Sequence, residues 1–175
     1  ALFTISDKTF DRMVEANNGR TGYHIHVSEG MNDVYDSLQN YGRRPVQRLH
    51  DHGILGEKTI LGHCIHVNPA EIELIKNTGT MVVNNPESNM SNAVDVCPVL
   101  PLSKEGILLG LGTDAWTNDM IESLKAALCV QRLNACLPNV AWCEVTDMLF
   151  KNNAKIGAKY FPDELGVLKA GAAAD

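Results

Sequence analysis

The sequence predicts an α/β fold built on parallel strands, arranged as part of a (β/α)8 barrel, on three observations. Short apolar stretches at residues 24–27, 59–63, 80–83 and 107–111 alternate with segments of helical period. Apart from their C-terminal ends these stretches are apolar on both faces, the pattern of parallel strands covered by helices. Polar residues able to bind a metal or move a proton then gather at successive strand ends: His26 to Glu29, His63, and Thr113-Asp114. That clustering favours a barrel over an open sheet. Four strands and 175 residues fall short of the roughly 250 residues of a whole barrel. Half a barrel leaves two open strand edges, which must pair with another piece or another chain or become an aggregation hazard.

The elements follow in order. Ser6 is an N-cap and Asp7 suits a positive helix start; Phe10, Met13 and Val14 form the stripe, and Asn17-Asn18-Gly19 ends it. In Tyr23-His24-Ile25-His26-Val27-Ser28-Glu29, alternation sends His24 and His26 to one face of a strand, Ile25 and Val27 to the other. A helix starting at Asn32 or Asp33 carries Val34, Leu38 and Tyr41 and stops at Gly42. Pro45 opens a shorter one that closes at Gly53. After the strand ending at His63, Asn68-Pro69-Ala70-Glu71 reads as a capping box with Pro at the first helical position. The strand at 80–83 runs into a turn-rich loop over residues 84–90. Asn118 or Asp119 caps a long helix with Ile121, Leu124 and Leu128, and a last helix starts near Thr146 and runs towards Tyr160.

With 45% hydrophobic residues the chain can bury a sizeable core, and a net charge of −6 with no basic cluster argues against nucleic-acid or anionic-membrane partners. No apolar run approaches the roughly 18 residues of a membrane span. The five cysteines (Cys64, Cys97, Cys129, Cys136, Cys143) contain no CxxC and read as reduced thiols of a cytoplasmic protein. Pro138 interrupts any helix that would align the last three. An opening on Ala1-Leu2-Phe3 and an ending on Ala173-Ala174-Asp175 give the expectation of a fragment, residues 1–175 being a partial barrel.

The chemistry rests on four residues. A lone strand histidine is usually a hydrogen-bonded core residue, but His26 comes with Glu29 three positions on and with His63 and Asp114 at the next strand ends. Neutral imidazole and carboxylate are the ligands of catalytic zinc or iron sites. Asp114 is placed to touch a metal and take a proton, or else to cap a turn. Glu29 is placed to shuttle a proton to a substrate nitrogen, or else to sit solvated in a loop. His63 could polarise an attacking water or a developing oxyanion. His50-Asp51-His52 also spells HxH, but at a helix end its rings diverge by about 200°. His24 lies one layer deeper than His26 and reads as a core or supporting residue. Trp116, just past Asp114, either stacks on an aromatic substrate or packs locally.

Together these residues resemble the amidohydrolase superfamily, in its single-metal aminohydrolase and chlorohydrolase branch. His26-Val27-Ser28-Glu29 looks like the HxxE of strand 5, Gly62-His63-Cys64-Ile65-His66 like strand 6, and Gly112-Thr113-Asp114 like strand 8. Asn85-Pro86-Glu87-Ser88-Asn89-Met90 looks like the NPxSNM loop after strand 7, and Leu165 through Asp175 like the family's LGxLxxGxxAD return into a small β-sandwich. Within that branch the wording is similar to SsnA-type aminohydrolases. The resemblance implies the C-terminal portion of the barrel, about strands 5–8, with the first strands and the flanking sandwich absent. It implies one divalent metal, zinc with iron as the alternative, held by His26, Asp114 and two strand-1 histidines outside this chain. Glu29, His63 and Asp114 would manage protons while Asn85, Asn89 and Trp116 meet the substrate.

The implied reaction is hydrolytic deamination of an amino-substituted purine- or pyrimidine-like heterocycle, a small-molecule partner. The alternatives are dechlorination of a triazine-like ring and a non-catalytic assembly module. Little or no activity is expected of the 175 residues alone, along with homo-oligomerisation or association through open barrel edges. Asn84 stands where relatives usually carry His before NP, which leaves the substrate contacts open.

Overall fold

The computed structural model describes residues 2–173. After a 3-10 turn at Leu2–Thr4 the order is α1 (Asp7–Asn17), β1 (His24–Val27), α2 (Met31–Tyr41), α3 (Pro45–Asp51), β2 (Ile60–His63) and α4 (Pro69–Asn77). Then come β3 (Met81–Asn84), α5 (Pro86–Ser91), α6 (Val99–Lys104), β4 (Leu109–Leu111), α7 (Met120–Ala135), α8 (Trp142–Asp147), a π-helical segment (Met148–Asn152) and α9 (Asn153–Gly157). The strands form one sheet in the order β1-β2-β3-β4, every neighbour parallel. Sequence order and spatial order coincide, as in consecutive β-α units of a barrel wall.

The helices cover one face. Ile25, Val27, Leu61, Val82 and Leu109 from the strands share a core with Phe10, Val46, Leu49, Ile75, Leu102, Val145 and Met148. The other face of β1 is uncovered, so both His24 and His26 are exposed. The alternation expected for β1 therefore holds, and His24, expected as a core or supporting residue, is exposed beside His26. Its face has no second layer among the described residues.

Capping decides most helix ends as the sequence requires. The Ser6 side chain accepts from the Thr9 N–H, and Asn18 closes α1 in the left-handed region. Asn68 and Glu71 form a reciprocal capping box on α4, and Asp119 accepts from the N–H groups of Ile121 and Glu122 to start α7. Three boundaries differ. The helix expected from Asn32 or Asp33 starts at Met31, because the Asp33 carboxylate accepts from the Glu29 N–H 3.2 Å away, in the preceding loop. Residues 86–91 are a short helix opened by Pro86, not a loop. The last helix starts at Trp142, after Ala141 turns through a φ of 67°, and reaches α9 through the π-helical segment.

That segment also changes the expectation of two open edges. The Asn153 side chain accepts from the Leu111 N–H (3.0 Å) and donates to its carbonyl (2.9 Å), while Asn152 donates to the Leu109 carbonyl (2.9 Å). Carboxamides thus stand in for a neighbouring strand along β4. Gly110 leaves the space that α9 needs there, since a Cβ would lie 2.7 Å from Ile156 Cδ1. The edge of β4 is filled by the chain's own side chains.

No helix among the described residues is long and apolar enough to cross a membrane. Of the return motif at the end of the sequence, Ala174 and Asp175 lie outside the described residues. The Asn68 cap yields a stability prediction. Asn68→Ala leaves the Glu71 N–H without its acceptor, and is expected to cost about 1 kcal/mol. A urea titration should show a lower midpoint with an unchanged slope.

Candidate metal centre

The strands end level. In register, His26 lies opposite Gly62, Val27 opposite His63, and Asn84 opposite Leu111. Paired residues of neighbouring strands share a face, so simple alternation would send His63 with Val27 towards the helices. The backbone turns it back: His63 takes a φ of 69° and Cys64 one of 49°. Its ring lands on that of His26, centroids 5.1 Å apart and tilted by 26°. Gly62, opposite His26, has no Cβ to fill the space beside that ring. Asp114 is re-aimed the same way, with a φ of 54°. Gly112 is needed just before it, because a Cβ there would press on Asn85 Oδ1 and come within 2.8 Å of Val83 Cγ1. Left-handed conformations at non-glycine residues cost of order 1 kcal/mol or more each, and they concentrate at functional sites.

One ligand atom each of His26, His63 and Asp114 lies within 4.8 Å of the others. Glu29 joins them, its Oε2 3.7 Å from His63 Nε2, with Asp114 Oδ2 at 3.6 Å on the same nitrogen. His63 is fully buried and its Nδ1 meets Asn89 Oδ1 at 2.7 Å. The amide oxygen is an acceptor, so with the Asn89 amide in this orientation Nδ1 would donate and Nε2 would present a lone pair. That buried Nε2 has no hydrogen-bond partner. A bare nitrogen facing two carboxylates is an arrangement of acceptors only. A divalent cation or a shared proton between them relieves it, and the imidazole–carboxylate donor set suits such a cation.

The charge states agree. His26 is open to solvent on one side, but the partial burial of its ring, followed by the neighbouring His63, holds it below its ordinary value and so favours the neutral, ligand-ready ring. For Asp114, burial acts to raise the pKa, but hydrogen bonds from Ser88 and from the Ala115 N–H, with the two imidazoles, outweigh it. Its carboxyl is held below the usual value, as a carboxylate.

All four chemistry-bearing residues therefore converge. The three residues expected at the substrate divide. Trp116 is exposed, two positions past Asp114. Asn85 is buried against Gly112, and Asn89 is buried with its oxygen on His63 and its nitrogen 3.3 Å from Asn84 Oδ1. His52 of the second HxH pairs with Asp11 on α1, away from the centre, and His66 binds the Val94 carbonyl. Two residues had no assigned role in the sequence reading. Ser88 donates to Asp114 Oδ2 (2.8 Å), and Asn92 donates to Glu29 Oε1 (3.2 Å). The signal available for them was helical spacing, since i and i+4 share a face once residues 86–91 are helix with Asn92 as its C-cap.

A parallel α/β sheet with imidazole and carboxylate donors at its C-terminal strand ends is the wall of a barrel carrying a candidate metal centre. More particularly, the chain belongs to the amidohydrolase family, whose model matches residues 1–175. A 5-methylthioadenosine/S-adenosylhomocysteine deaminase of Caldanaerobacter subterraneus is 36% identical over 160 residues, 89% of this chain and 36% of the relative. The Thermoanaerobacter pseudethanolicus enzyme of the same name is 34% identical over 181 residues, covering 100% of this chain and 42% of its own. Among solved structures, an adenosine deaminase from Xanthomonas campestris with bound zinc superposes with a TM-score of 0.83 at 29% identity, over 98% of this chain and 40% of that one. Guanine deaminase of E. coli (TM-score 0.79, 20% identity, 88% and 37% coverage) shares the fold. The chain spans about two fifths of the length of the relatives it matches.

The lowered pKa of His26 fixes the direction of a pH dependence. As pH falls below the ordinary value of 6.5, the unfolded chain takes up the proton before the folded one, so stability falls until the folded pKa is passed. In chelator-treated protein the urea midpoint should drop between about pH 7.5 and about pH 5.5. His26→Gln should remove part of that drop; an identical profile in the variant would contradict the assignment.

Proposed function

We propose that this chain is the C-terminal half, about strands 5–8, of a metal-dependent aminohydrolase that removes an amino group from a purine-like heterocycle by hydrolysis. The observation that carries it is the meeting of His26, His63, Asp114 and Glu29 around one bare imidazole nitrogen. The deaminase names of the relatives above 30% identity support the amine as leaving group. Similarity to triazine hydrolases, at 18% to 24% identity, bears on fold alone.

His26 and Asp114 would hold the cation, with His63 in reach as a third donor; zinc is the proposed ion, iron its alternative. When bound, a divalent metal would polarise the substrate and lower the pKa of water steeply, towards about 7. The rest is proton management by this chain. Asp114 Oδ1 and His63 Nε2 are acceptors for the proton that water loses as it adds to the ring carbon. Glu29, partly exposed with Oε1 tied to Asn92 and Oε2 3.7 Å from His63 Nε2, takes up the proton that water has lost and passes it to the departing nitrogen. The C–N bond breaks, a C–O bond forms, and ammonia leaves with the proton from Glu29. Trp116 is free to stack on the heterocycle, while Asn85 and Asn89 shape the floor behind Gly112 and His63. Five free cysteines fit a reducing, cytoplasmic setting. The rest of the barrel, or a second subunit, would pair the edge of β1.

The test is ammonia release from 5'-deoxyadenosine, 5'-methylthioadenosine and guanine by the full polypeptide containing this chain. Turnover is expected, falling roughly 10²–10⁴-fold in Glu29→Gln. Silence on every aminopurine, or an unimpaired variant, would overturn the reading. The 175 residues alone should show no turnover.

A further inference from the structure

A single short helix touches three of the four chemistry-bearing residues. From α5 and its C-cap, Ser88 donates to Asp114 Oδ2 (2.8 Å), Asn89 meets His63 Nδ1 (2.7 Å), and Asn92 donates to Glu29 Oε1 (3.2 Å). Asn92 also reaches Ser88 Oγ at 3.5 Å, so the supports of the two carboxylates are linked. The helix is itself pinned: Pro86 opens it, and the buried Glu87 accepts from Ser123 on α7.

We infer that α5 is the positioning element of the site and that Asn89, held by Asn84, fixes His63 as its Nδ1–H tautomer. The direction of the Asn89 amide is what carries this. Its Nδ2 donates to Asn84 Oδ1 (3.3 Å), in a pair of residues 3% and 2% exposed. With Asn84 Oδ1 kept towards it, turning the Asn89 amide over would set two carbonyl oxygens against each other in a buried place, at a cost of about 1–3 kcal/mol. Asn89 Oδ1 is therefore left for His63, and an oxygen acceptor obliges Nδ1 to donate. Nε2 is then a lone pair aimed between Glu29 and Asp114. With the other tautomer, an Nε2–H would be directed at those carboxylates, and the acceptor that the site needs would be lost. Asn89 and Asn84 are positioning residues here: they act through His63. Partners of this kind fix ring orientation and basicity at metal sites.

The inference deepens the proposed function and rests on it for its catalytic meaning, but tautomer and metal can be read separately. Nitrogen-15 imidazole spectra of the chelator-treated chain at alkaline pH, with His63 assigned by comparison with His63→Gln, should show Nδ1–H and bare Nε2. Asn89→Asp, which keeps an acceptor, should preserve that pattern. Asn89→Leu should convert it to Nε2–H or a mixture and weaken zinc binding by roughly 10–100-fold in competition with a chromophoric chelator. An Nε2–H signal in the unaltered chain, or an Asn89→Leu spectrum unchanged from it, overturns the inference. The spectrum of the unaltered chain decides even if Asn89→Leu fails to fold. An Nδ1–H signal with no zinc binding by the full polypeptide supports the positioning role and counts against the metal reading instead.

Discussion

The site depends on backbone that leaves the extended conformation one residue before it should. Ser28, His63, Cys64 and Asp114 all take left-handed φ values at or just past a strand end. None is a glycine, so each resists that conformation, and the surrounding packing must hold it. At His63 the result is a change of face. A residue that the pleat would bury among helices instead stacks on His26. Without that reversal the sheet would still form, but its imidazoles would lie on opposite sides.

Around this turn the electrostatics are deliberately incomplete. Two carboxylates face a buried imidazole nitrogen that has no hydrogen-bond partner, at 3.6 and 3.7 Å, distances too long for hydrogen bonds. Every other polar contact in the group is directed outward: Ser88 to Asp114, Asn92 to Glu29, Asn89 to His63. The outer bonds set orientation and leave the inner lone pairs free. Such a cluster gains little stability from itself, since the inner groups repel, and it gains much from a cation placed among them. Neutral His26 and ionised Asp114 are the protonation states which that cation would require.

The frame answers a separate problem, that of a sheet with ends. The sequence reading required both edges to be paired, yet the carboxamides of Asn152 and Asn153 occupy the outer edge of β4. Side-chain amides have the same donor and acceptor as a peptide group, so they can satisfy strand backbone without offering a new edge. On β1 the exposed His24 and His26 share an uncovered face. The outer edge of β4 is thus filled by the chain's own residues, while the face of β1 that carries His24 and His26 is polar.

The sequence by itself determined the period and the punctuation. Apolar runs gave parallel strands, and Ser6, Asn68 and Asp119 fixed helix starts, because caps and hydrophobic periodicity act within a few residues of chain. It also placed His26, Glu29, His63 and Asp114 at strand ends, where a barrel collects its chemistry. Only the tertiary structure decided how they face one another. The turn at His63 reverses the alternation rule on which a strand reading relies, and nothing local to His63 announces it. The roles of Ser88, Asn89 and Asn92 were hidden for a related reason. Asn85-Pro86 followed by small polar residues spells a turn in one dimension. It becomes a helix with a working face only when Gly112 and Ser123 come up against it from elsewhere in the chain.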